Sequence, residues 1–200
     1  GYMASSTGFL LAGMVVESIE KKHLDAVFAE RIFKPLGMND SFFPTSSDIP
    51  APVARGYANM DSSLTDCTAA DPSTLGAANA VVSTPFDMLR FFRELFEGKA
   101  LLTPRSYRLM THFATTRNEE DVYSLGLMER ISRRGTWRGC ESVIPGYTVL
   151  AGYYMQGKAF VMVFVNTGEN SFAAEDIFNA ILRRVSGCPS DMTPASGATL

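Results

Sequence analysis

Histidine and cysteine are scarce in this sequence, which has two histidines and three cysteines among its 200 residues. The cysteines (Cys67, Cys140 and Cys188) are widely separated and form no Cys-x-x-Cys pair, so their spacing indicates neither a zinc site nor a disulfide framework. No clustered metal ligands are present. We therefore expect no metal and no cofactor, while the disulfide state of the three cysteines stays open.

Strong charge and long apolar runs are also absent. The net charge is only −3 at pH 7, and the lysines and arginines form no stripe, which argues against a nucleic-acid partner. No apolar run reaches the roughly 18 residues of a membrane span. The N-terminal stretch lacks the basic region of a signal peptide. The composition is that of a soluble globular protein, and it does not identify the compartment.

The N-terminal part has helical periodicity. Thr7 is a candidate N-cap for a first helix, whose apolar residues cover more than half of its circumference, so we expect that helix to be buried on most sides. A second helix is predicted from about Leu24. Pro35 is expected to stop it and to hold Lys34 in an extended conformation, because proline lacks an amide donor and restricts the residue before it.

The middle of the chain contains a loop and two further helix starts. Residues 44–80 are predicted to be a long irregular surface loop. A threonine followed by a proline, at positions 84–85 and again at 103–104, combines an N-cap with a proline in the first turn and predicts two helices. The first of them is expected to bury Phe86 together with leucines and phenylalanines at helical spacing.

The C-terminal part changes to the pattern of strands. Three segments (VYSLGLMER, GYTVLAGYY and KAFVMVFVN) are rich in Val, Tyr and Phe and predict three strands, the last two joined by a hairpin turn at residues 155–158. A final helix over about residues 172–185 is expected to bury Ile177, Phe178 and Ile181.

These elements predict an α/β fold of the α+β type. The expected organisation is a mainly helical region over residues 1–118, antiparallel strands with a C-terminal helix packed on the sheet over residues 119–186, and a flexible tail over residues 187–200.

Four sequence blocks occur in a recognisable order. They are GFLLAGMVVESIEKK…ERIFKPLGMNDSFF, GAANAVVSTPFDMLRFFRELFEG, YSLGLMER and GCESVIPGYTVLAGYYMQGKAFVMVFVNTGEN. In this order they resemble the C-terminal part of the serine β-lactamase / D-Ala-D-Ala carboxypeptidase family, the penicillin-recognising enzymes and their esterase relatives. The resemblance implies the C-terminal portion of the β-lactamase/transpeptidase-like fold.

The resemblance also implies a chemistry. Members of this family acylate the serine of a Ser-x-x-Lys motif, whose lysine takes the hydroxyl proton, and they hydrolyse amides or esters. A Tyr-x-Asn or Ser-x-Asn element and a Lys/His-Thr/Gly-Gly strand complete the cleft. The serine motif is expected upstream of Phe9, so we expect the sequence, which begins at Gly1, to lack the nucleophile and to be inactive alone.

Two segments match the family motifs by letter but not by position. Ser18 and Lys21 satisfy Ser-x-x-Lys at the polar end of the first helix, where the family has ordinary surface residues. Tyr57 and Asn59 satisfy Tyr-x-Asn inside the long loop, where a tyrosine that packs the loop down is the simpler interpretation.

The position of the second motif directly precedes the first helix. Counting back from Phe9, Ala4 replaces the tyrosine and Ser6 replaces the asparagine of Tyr-x-Asn. An insertion of two residues would instead make Tyr2 the tyrosine, although no asparagine would then follow it at the motif's spacing.

The third motif is also altered. Counting back from Pro145, Cys140 replaces the lysine or histidine, Glu141 replaces the threonine or glycine, and Ser142 replaces the final glycine. The cation that would attract a substrate carboxylate is absent, and we expect Glu141 to oppose an anionic ligand. If the segment is a strand, Cys140 and Ser142 face the cleft beside Ser6 and Glu141 points away; the alternative is a loop with Cys140 as an apolar filler.

Two classes of function follow from these residues. In the first, the complete protein is a serine hydrolase to which this chain contributes two degraded cleft walls. In the second, it is a non-catalytic relative that binds a small molecule, a peptide, a cell-wall fragment or another protein. Because the family's N-terminal strands and central helix are not recognisable, we expect a fragment or a shortened relative that self-associates or binds an N-terminal segment of the same protein.

Overall fold

The computed structural model describes residues 5–47, 49, 52–60, 63–68, 71–98, 100–113, 121–168 and 173–186. The helices are α1 (Ser6–Glu20), α2 (Leu24–Phe28), α3 (Lys34–Leu36), α4 (Gly76–Asn79), α5 (Pro85–Phe96), α6 (Pro104–Met110) and α7 (Ala173–Val185). The strands are β1 (Tyr57–Met60), β2 (Ser63–Asp66), β3 (Asp121–Tyr123), β4 (Met128–Ser132), β5 (Gly135–Ile144), β6 (Tyr147–Tyr154) and β7 (Ala159–Val165).

A five-stranded antiparallel sheet in the order β3-β4-β5-β6-β7 forms the centre of the fold. Helix α7 covers one face, where Phe178 packs in a cluster with Trp137. Helix α5 covers the other face, where Phe92 and Leu95 pack against Ala151. Since side chains alternate along a strand, the odd-numbered residues of β5 face α7 and the even-numbered residues face α5. The predicted α+β class, with a C-terminal helix on an antiparallel sheet, is confirmed.

The sheet has more strands than the three that were predicted. The segment VYSLGLMER forms two strands, because the chain turns between β3 and β4, where the amide of Ser124 donates to the carbonyl of Leu127 at 2.9 Å. Strand β5 was not among the three, since polar and charged residues interrupt its apolar pattern. The alternative that residues 140–142 form a loop is wrong, because these residues pair with residues 149–151 of β6.

Residues 44–80 contain more regular structure than the predicted loop. Strands β1 and β2 form an antiparallel hairpin, and α4 follows it. The hairpin is held next to the end of β7, where the amide of Tyr57 donates to the carbonyl of Asn166 at 3.0 Å and the amide of Gly168 donates to the carbonyl of Tyr57 at 2.9 Å. Its short strands lack the alternation of apolar and polar residues by which strands are recognised.

Helix α1 is much more exposed than its sequence predicted. Gly13 is its only buried residue, and it lies against α4, where a Cβ atom on Gly13 would come within 2.6 Å of Cβ of Ala77. By contrast, Leu11, Met14 and Ile19 are 58%, 63% and 72% exposed. The expectation that this helix is buried on most sides is therefore wrong for the part of the chain that the structure describes, in which only the stripe of α1 around Gly13 packs against a neighbour.

The chain continues in helical conformation through Pro35, which was expected to end the helix at Lys34. A π-helical turn (Ala29–Phe33) precedes α3, and Lys34 has helical angles, φ −63° and ψ −48°. Pro35 leaves one helical hydrogen bond unmade, and it directly follows the π-helical turn, in which the amide of Lys34 donates to the carbonyl of Ala29 five residues back. The helix ends instead at Gly37, which adopts a left-handed conformation with φ 64°.

The segment after Gly37 is fixed by a buried carboxylate. Asp87 of α5 has no exposed surface. Its Oδ2 atom accepts hydrogen bonds from the amide of Asp40 at 2.9 Å and from the hydroxyl of Ser41 at 2.8 Å, and its Oδ1 atom is bound by the guanidinium of Arg90. The segment GMNDS, residues 37–41, is therefore held against the first turn of α5.

The threonine caps predicted before Pro85 and Pro104 are confirmed, whereas the cap predicted at Thr7 is wrong, because α1 begins at Ser6 and Thr7 lies inside it. The hydroxyl of Thr84 accepts a hydrogen bond from the amide of Asp87 at 3.2 Å, and that of Thr103 accepts one from Ser106 at 3.1 Å. The predicted burial is wrong for two residues, because Phe86 is 75% exposed and Ile177 is 46% exposed. Both lie at the side of the sheet where β7 is the last strand. In the part of the chain described here, no helix has the length and apolar character to cross a membrane.

Candidate functional site

Cys140, Glu141 and Ser142 lie consecutively in β5 and face alternate sides of the sheet. Cys140 packs among the apolar residues between the sheet and α5. Ser142 is on the same face and hydrogen-bonds to Asn79 of α4. Glu141 is on the opposite face, where α7 lies, and its carboxylate is 3.3 Å from the guanidinium of Arg130. Cys140 and Ser142, the first and third positions of the altered motif, thus lie on the face of the sheet that contacts α5 and α4.

The thiol of Cys140 is poorly suited to act as a nucleophile. Burial, and to a smaller extent the negative charge of Glu141, raise its pKa from 9.0 to about 11. A reactive cysteine needs the opposite shift and a base close by. The two histidines, His23 and His112, are exposed and lie at helix ends, His23 directly before α2 and His112 after α6. Cys140 therefore has the surroundings of a cysteine whose role is to pack against apolar neighbours.

We predict that Cys140 reacts slowly with iodoacetamide in the native protein. With a pKa of about 11, its thiolate fraction at pH 8 is about a hundredfold lower than that of an ordinary thiol, and burial slows the reaction further. The native labelling rate should rise about tenfold per pH unit between pH 8 and pH 10. Mass spectrometry of the peptide that contains Cys140 measures it, with the urea-unfolded protein as the control. Equal native and unfolded rates would contradict the prediction.

Glu141 does not place its charge in the region between β5 and α4. Its partner Arg130 also bonds Glu175 of α7 at 2.9 Å, so the guanidinium lies between two carboxylates. Arg130 is also 6.0 Å above the ring of Phe178. The sequence-based expectation that Glu141 would oppose an anionic ligand in the cleft is therefore wrong, because alternation along β5 turns this side chain to the α7 face and a cation neutralises it there.

Ser142 connects strand β5 to helix α4. Its hydroxyl donates to Oδ1 of Asn79 at 2.9 Å, across 63 positions of sequence. Both side chains are partly buried. Asn79 was not recognised as a site residue from the sequence. The available signal was a single amide side chain in the run of small residues GAANAVV, where a polar group next to a sheet needs a partner.

Ser6 belongs to α1, the helix that packs on α4. It is the first residue of α1 and is exposed. One helical turn later, Leu10 packs over Gly76, where its Cδ2 atom would lie 2.5 Å from an added Cβ. Gly76 begins α4, the helix that ends at Asn79. These contacts connect Ser6 with Ser142 through α4; that Ser6 and Cys140 line one groove stays a prediction. Tyr2 and Ala4 lie outside the described residues.

The two letter matches are not arranged like the family motifs. Ser18 is exposed on α1, and Lys21 follows the end of that helix in a left-handed conformation with φ 53°. A lysine one helical turn after a serine would have to be inside the helix. Tyr57 and Asn59 are in β1, where the backbone of Tyr57 is bonded to residues 166 and 168. This placement favours the interpretation of Tyr57 as a packing residue.

No group of three or more His, Cys, Asp or Glu side chains that could hold a metal ion occurs among the described residues. The two cysteines that the structure describes, Cys67 and Cys140, are free thiols. Ser142 of β5 and Asn79 of α4 provide polar atoms for hydrogen bonding. Residues 140–142 include no lysine or histidine, so the altered motif provides no cation.

Comparison with known families agrees with this architecture. The model of a family described as Beta-lactamase matches residues 2–184. The chain belongs to the Beta-lactamase family. The resemblance of the four sequence blocks is thereby confirmed, and so is the fold that it implied.

Individual relatives match over only part of their own length. Protein Rv1367c of Mycobacterium tuberculosis is 33% identical in an alignment of 109 residues, and the match covers 49% of this chain and 27% of that protein. A D-stereospecific amidohydrolase from Streptomyces sp. is 28% identical with a TM-score of 0.76, covering 84% of this chain and 51% of the other. A D-amino acid amidase from Ochrobactrum anthropi SV3, complexed with L-phenylalanine amide, is 26% identical with a TM-score of 0.80 and coverages of 94% and 58%. The chain thus spans about half the length of these solved relatives.

Proposed function

We propose that this chain is a hydrolase relative in which the third-motif wall of the Beta-lactamase-family cleft no longer supports acyl transfer. The observation that carries the proposal is the environment of residues 140–142 in β5. Cys140 has a raised pKa of about 11 and is a partly buried residue packed against the cluster between the sheet and α5, Glu141 is paired with Arg130, and Ser142 is bonded to Asn79. Each of the three side chains has a structural partner, and none is arranged as a nucleophile, a base or a carboxylate-binding cation.

If the complete protein is a serine hydrolase, we propose that it acts on an uncharged amide or ester. A wall without a cation gives a substrate carboxylate no charge-assisted hydrogen bond. The solved relatives above 25% identity include amidases, one of them in complex with an amino acid amide. The acyl-enzyme would form on the serine of a Ser-x-x-Lys element, a role for which the placement of Ser18 and Lys21 offers no support.

The second candidate is a non-catalytic protein that binds a small molecule or a peptide. The Ser142–Asn79 hydrogen bond favours it, because this bond occupies the position at which the family's final glycine leaves the strand backbone open to a substrate. A hydrolase and a binding protein are distinguished by the full reading frame: a Ser-x-x-Lys motif upstream of Gly1 supports the hydrolase, and its absence supports the binding protein.

We predict that the 200-residue chain does not hydrolyse a chromogenic cephalosporin or a short-chain nitrophenyl ester above the rate of a denatured control. The physical reason is that no hydrogen bond joins Ser18 or Cys140 to a base among the described residues, and that Ser41, whose hydroxyl donates to Asp87, bonds a carboxylate that is buried and already held by Arg90. Absorbance assays with Ser18→Ala and Cys140→Ala as comparison variants test it. Turnover that disappears in Ser18→Ala would overturn both the proposal and the surface interpretation of Ser18, and turnover that disappears in Cys140→Ala would point to the thiol.

A further inference from the structure

Five cationic side chains come together at one end of the five-stranded sheet. The turn between β4 and β5, the turn between β6 and β7 and the last turn of α7 supply them; they are Arg133, Arg134, Lys158, Arg183 and Arg184. In an antiparallel sheet of this order, the two turns lie at the same end. We name this group the basic end. The sequence shows no stripe of lysines and arginines because three separate segments contribute to the group.

Contacts within the chain hold the three segments of the basic end next to one another. The amide of Thr136, directly after the first turn, donates to Oε1 of Gln156 in the second turn at 2.7 Å. The end of α7 lies against the second turn, because a Cβ atom added to Gly157 would be 2.8 Å from Cγ1 of Val185. The relative position of the cations is therefore set by the sheet register and by the packing of α7.

The cations of the basic end have no anionic partner within the part of the chain that the structure describes, where no ion pair includes any of the five. Arg133, Lys158 and Arg184 are exposed. Arg134 is partly buried, its carbonyl accepts the hydroxyl of Tyr154, and its enclosed Nε atom has no acceptor among the described residues. Packing, and not a protein carboxylate, thus holds Arg134. The charged groups of this end are available to an external anion.

The rest of the chain has the opposite charge. The whole sequence has a net charge of −3, so the residues outside the basic end, from which five positive charges are removed, have a net charge of −8. A molecule with one positive end and a negative remainder is oriented by the field of an anionic surface. It meets a flat surface favourably through that end, whereas a polyanion that extends along the protein would also meet the acidic remainder.

The side chains around the basic end favour a lipid surface over a nucleic acid. The aromatic residues Trp137 and Tyr154 are 1% and 2% exposed, so they provide no platform on which bases could stack. An aliphatic side chain is exposed instead, since Ile131 on β4, two residues before Arg133, is 58% exposed. Cations next to an exposed aliphatic side chain are typical of proteins that bind at the head-group level of a membrane.

We propose that the basic end docks on an anionic phospholipid surface as a reversible peripheral contact. Head-group phosphates accept the forked hydrogen bonds of the arginines, and each lysine or arginine near such a surface strengthens binding about fivefold. The contact is at the surface, and no helix of the described residues is long and apolar enough to cross the bilayer. This docking does not depend on whether the complete protein is a hydrolase or a binding protein.

The first experiment uses the unmodified chain and co-sedimentation with vesicles. Binding is expected to phosphatidylcholine vesicles that contain about 30% phosphatidylglycerol and not to pure phosphatidylcholine vesicles, and raising sodium chloride from about 50 to about 300 mM should weaken it at least about tenfold. No binding to the anionic vesicles at low salt overturns the proposal. Equal binding to both vesicles overturns it too, and so does binding to a short DNA duplex without binding to vesicles, because the partner is then a nucleic acid.

The second experiment removes single charges with a matched control. Arg133→Gln and Arg184→Gln, from two different segments, should each weaken vesicle binding about fivefold, and the double variant about 25-fold. Arg108→Gln makes the same change of net charge at an exposed position of α6, which contacts the turn between β3 and β4 at the opposite end of the sheet; binding should stay within about twofold. Equal effects of Arg133→Gln and Arg108→Gln, or no effect of Arg184→Gln, overturn the proposal.

A third measurement locates the contact without any substitution. Hydrogen–deuterium exchange of the vesicle-bound chain should show added protection in the peptides that cover residues 131–136 and 155–158, and none in α6. Bound chain in which the added protection lies only outside these two turns overturns the proposal, because another surface then contacts the lipid. This result also detects a variant that fails to bind only because it is unfolded, since such a variant loses protection throughout the sheet before vesicles are added.

Discussion

Replacing Asp87 by alanine is expected to lower the free energy of unfolding by about 3 kcal/mol. The carboxylate has no exposed surface and accepts hydrogen bonds from the Asp40 amide, the Ser41 hydroxyl and the Arg90 guanidinium. Without it, the amide and the hydroxyl lose a charged acceptor in a partly buried place, and each unsatisfied group costs about 1–3 kcal/mol. Arg90 adds less to the loss because its side chain is half exposed and regains water.

Urea denaturation followed by circular dichroism measures this loss. Asp87→Asn is expected to lose less, about 1–2 kcal/mol, because an amide keeps one acceptor oxygen at the same place. The control is Glu97→Ala at the other end of α5, whose carboxylate is 3.7 Å from Arg93 and half exposed; a loss within about 0.5 kcal/mol is expected there. Equal losses for Asp87→Ala and Glu97→Ala would contradict the role assigned to the buried carboxylate.

Local signals in the sequence predicted the parts of the fold that depend on neighbouring residues. The threonines before Pro85 and Pro104 begin helices because the cap and its amide are three positions apart. The turn at residues 155–158 joins β6 and β7 as a hairpin for a similar reason. Each of these features is decided within a few residues, so a sequence pattern contains the information.

Features that depend on distant partners were missed or mispredicted. Asp87 and Asp40 are 47 positions apart, and nothing near either residue indicates the bond. Helix α1 has the composition of a buried helix, yet its burial depends on which elements are present to cover it, and α4 reaches only its Gly13 stripe. Periodicity alone did not predict β5, because polar and charged residues interrupt its apolar pattern, and the partner of Ser142, Asn79 of α4, is 63 positions away in sequence.

The candidate site shows the same division. Counting from Pro145 led to residues 140–142, and alternation along a strand was enough to expect Glu141 on the face opposite to Cys140 and Ser142. The partners of these residues were not predictable, because Arg130 and Asn79 are brought to β5 by the sheet register and by α4 respectively. The chemistry of the site depends on those partners more than on the three letters of the motif.

Replacing Gly139 by alanine is expected to lower the free energy of unfolding by about 3 kcal/mol, the upper end of the range for overpacking. Gly139 pairs with Gly152 across β5 and β6. A Cβ atom added to Gly139 would lie 2.2 Å from the carbonyl oxygen of Ala151, 2.5 Å from the ring of Trp137 and 2.7 Å from Cα of Gly152. Two of these obstacles are backbone, which moves only if the strands separate.

The consequence extends from stability to the candidate site, because Gly139 directly precedes Cys140. If the two strands separate at Gly139, the register that buries Cys140 and brings Ser142 to Asn79 is weakened, so Gly139→Ala should also speed the labelling of Cys140 by iodoacetamide. Gly8→Ala is the matched control: no atom lies within 4 Å of an added Cβ on α1, and alanine in a helix should raise the free energy of unfolding by about 0.5–1 kcal/mol. Faster labelling in the Gly8 variant, or unchanged labelling in a destabilised Gly139 variant, would contradict the coupling between the glycine pair and the site.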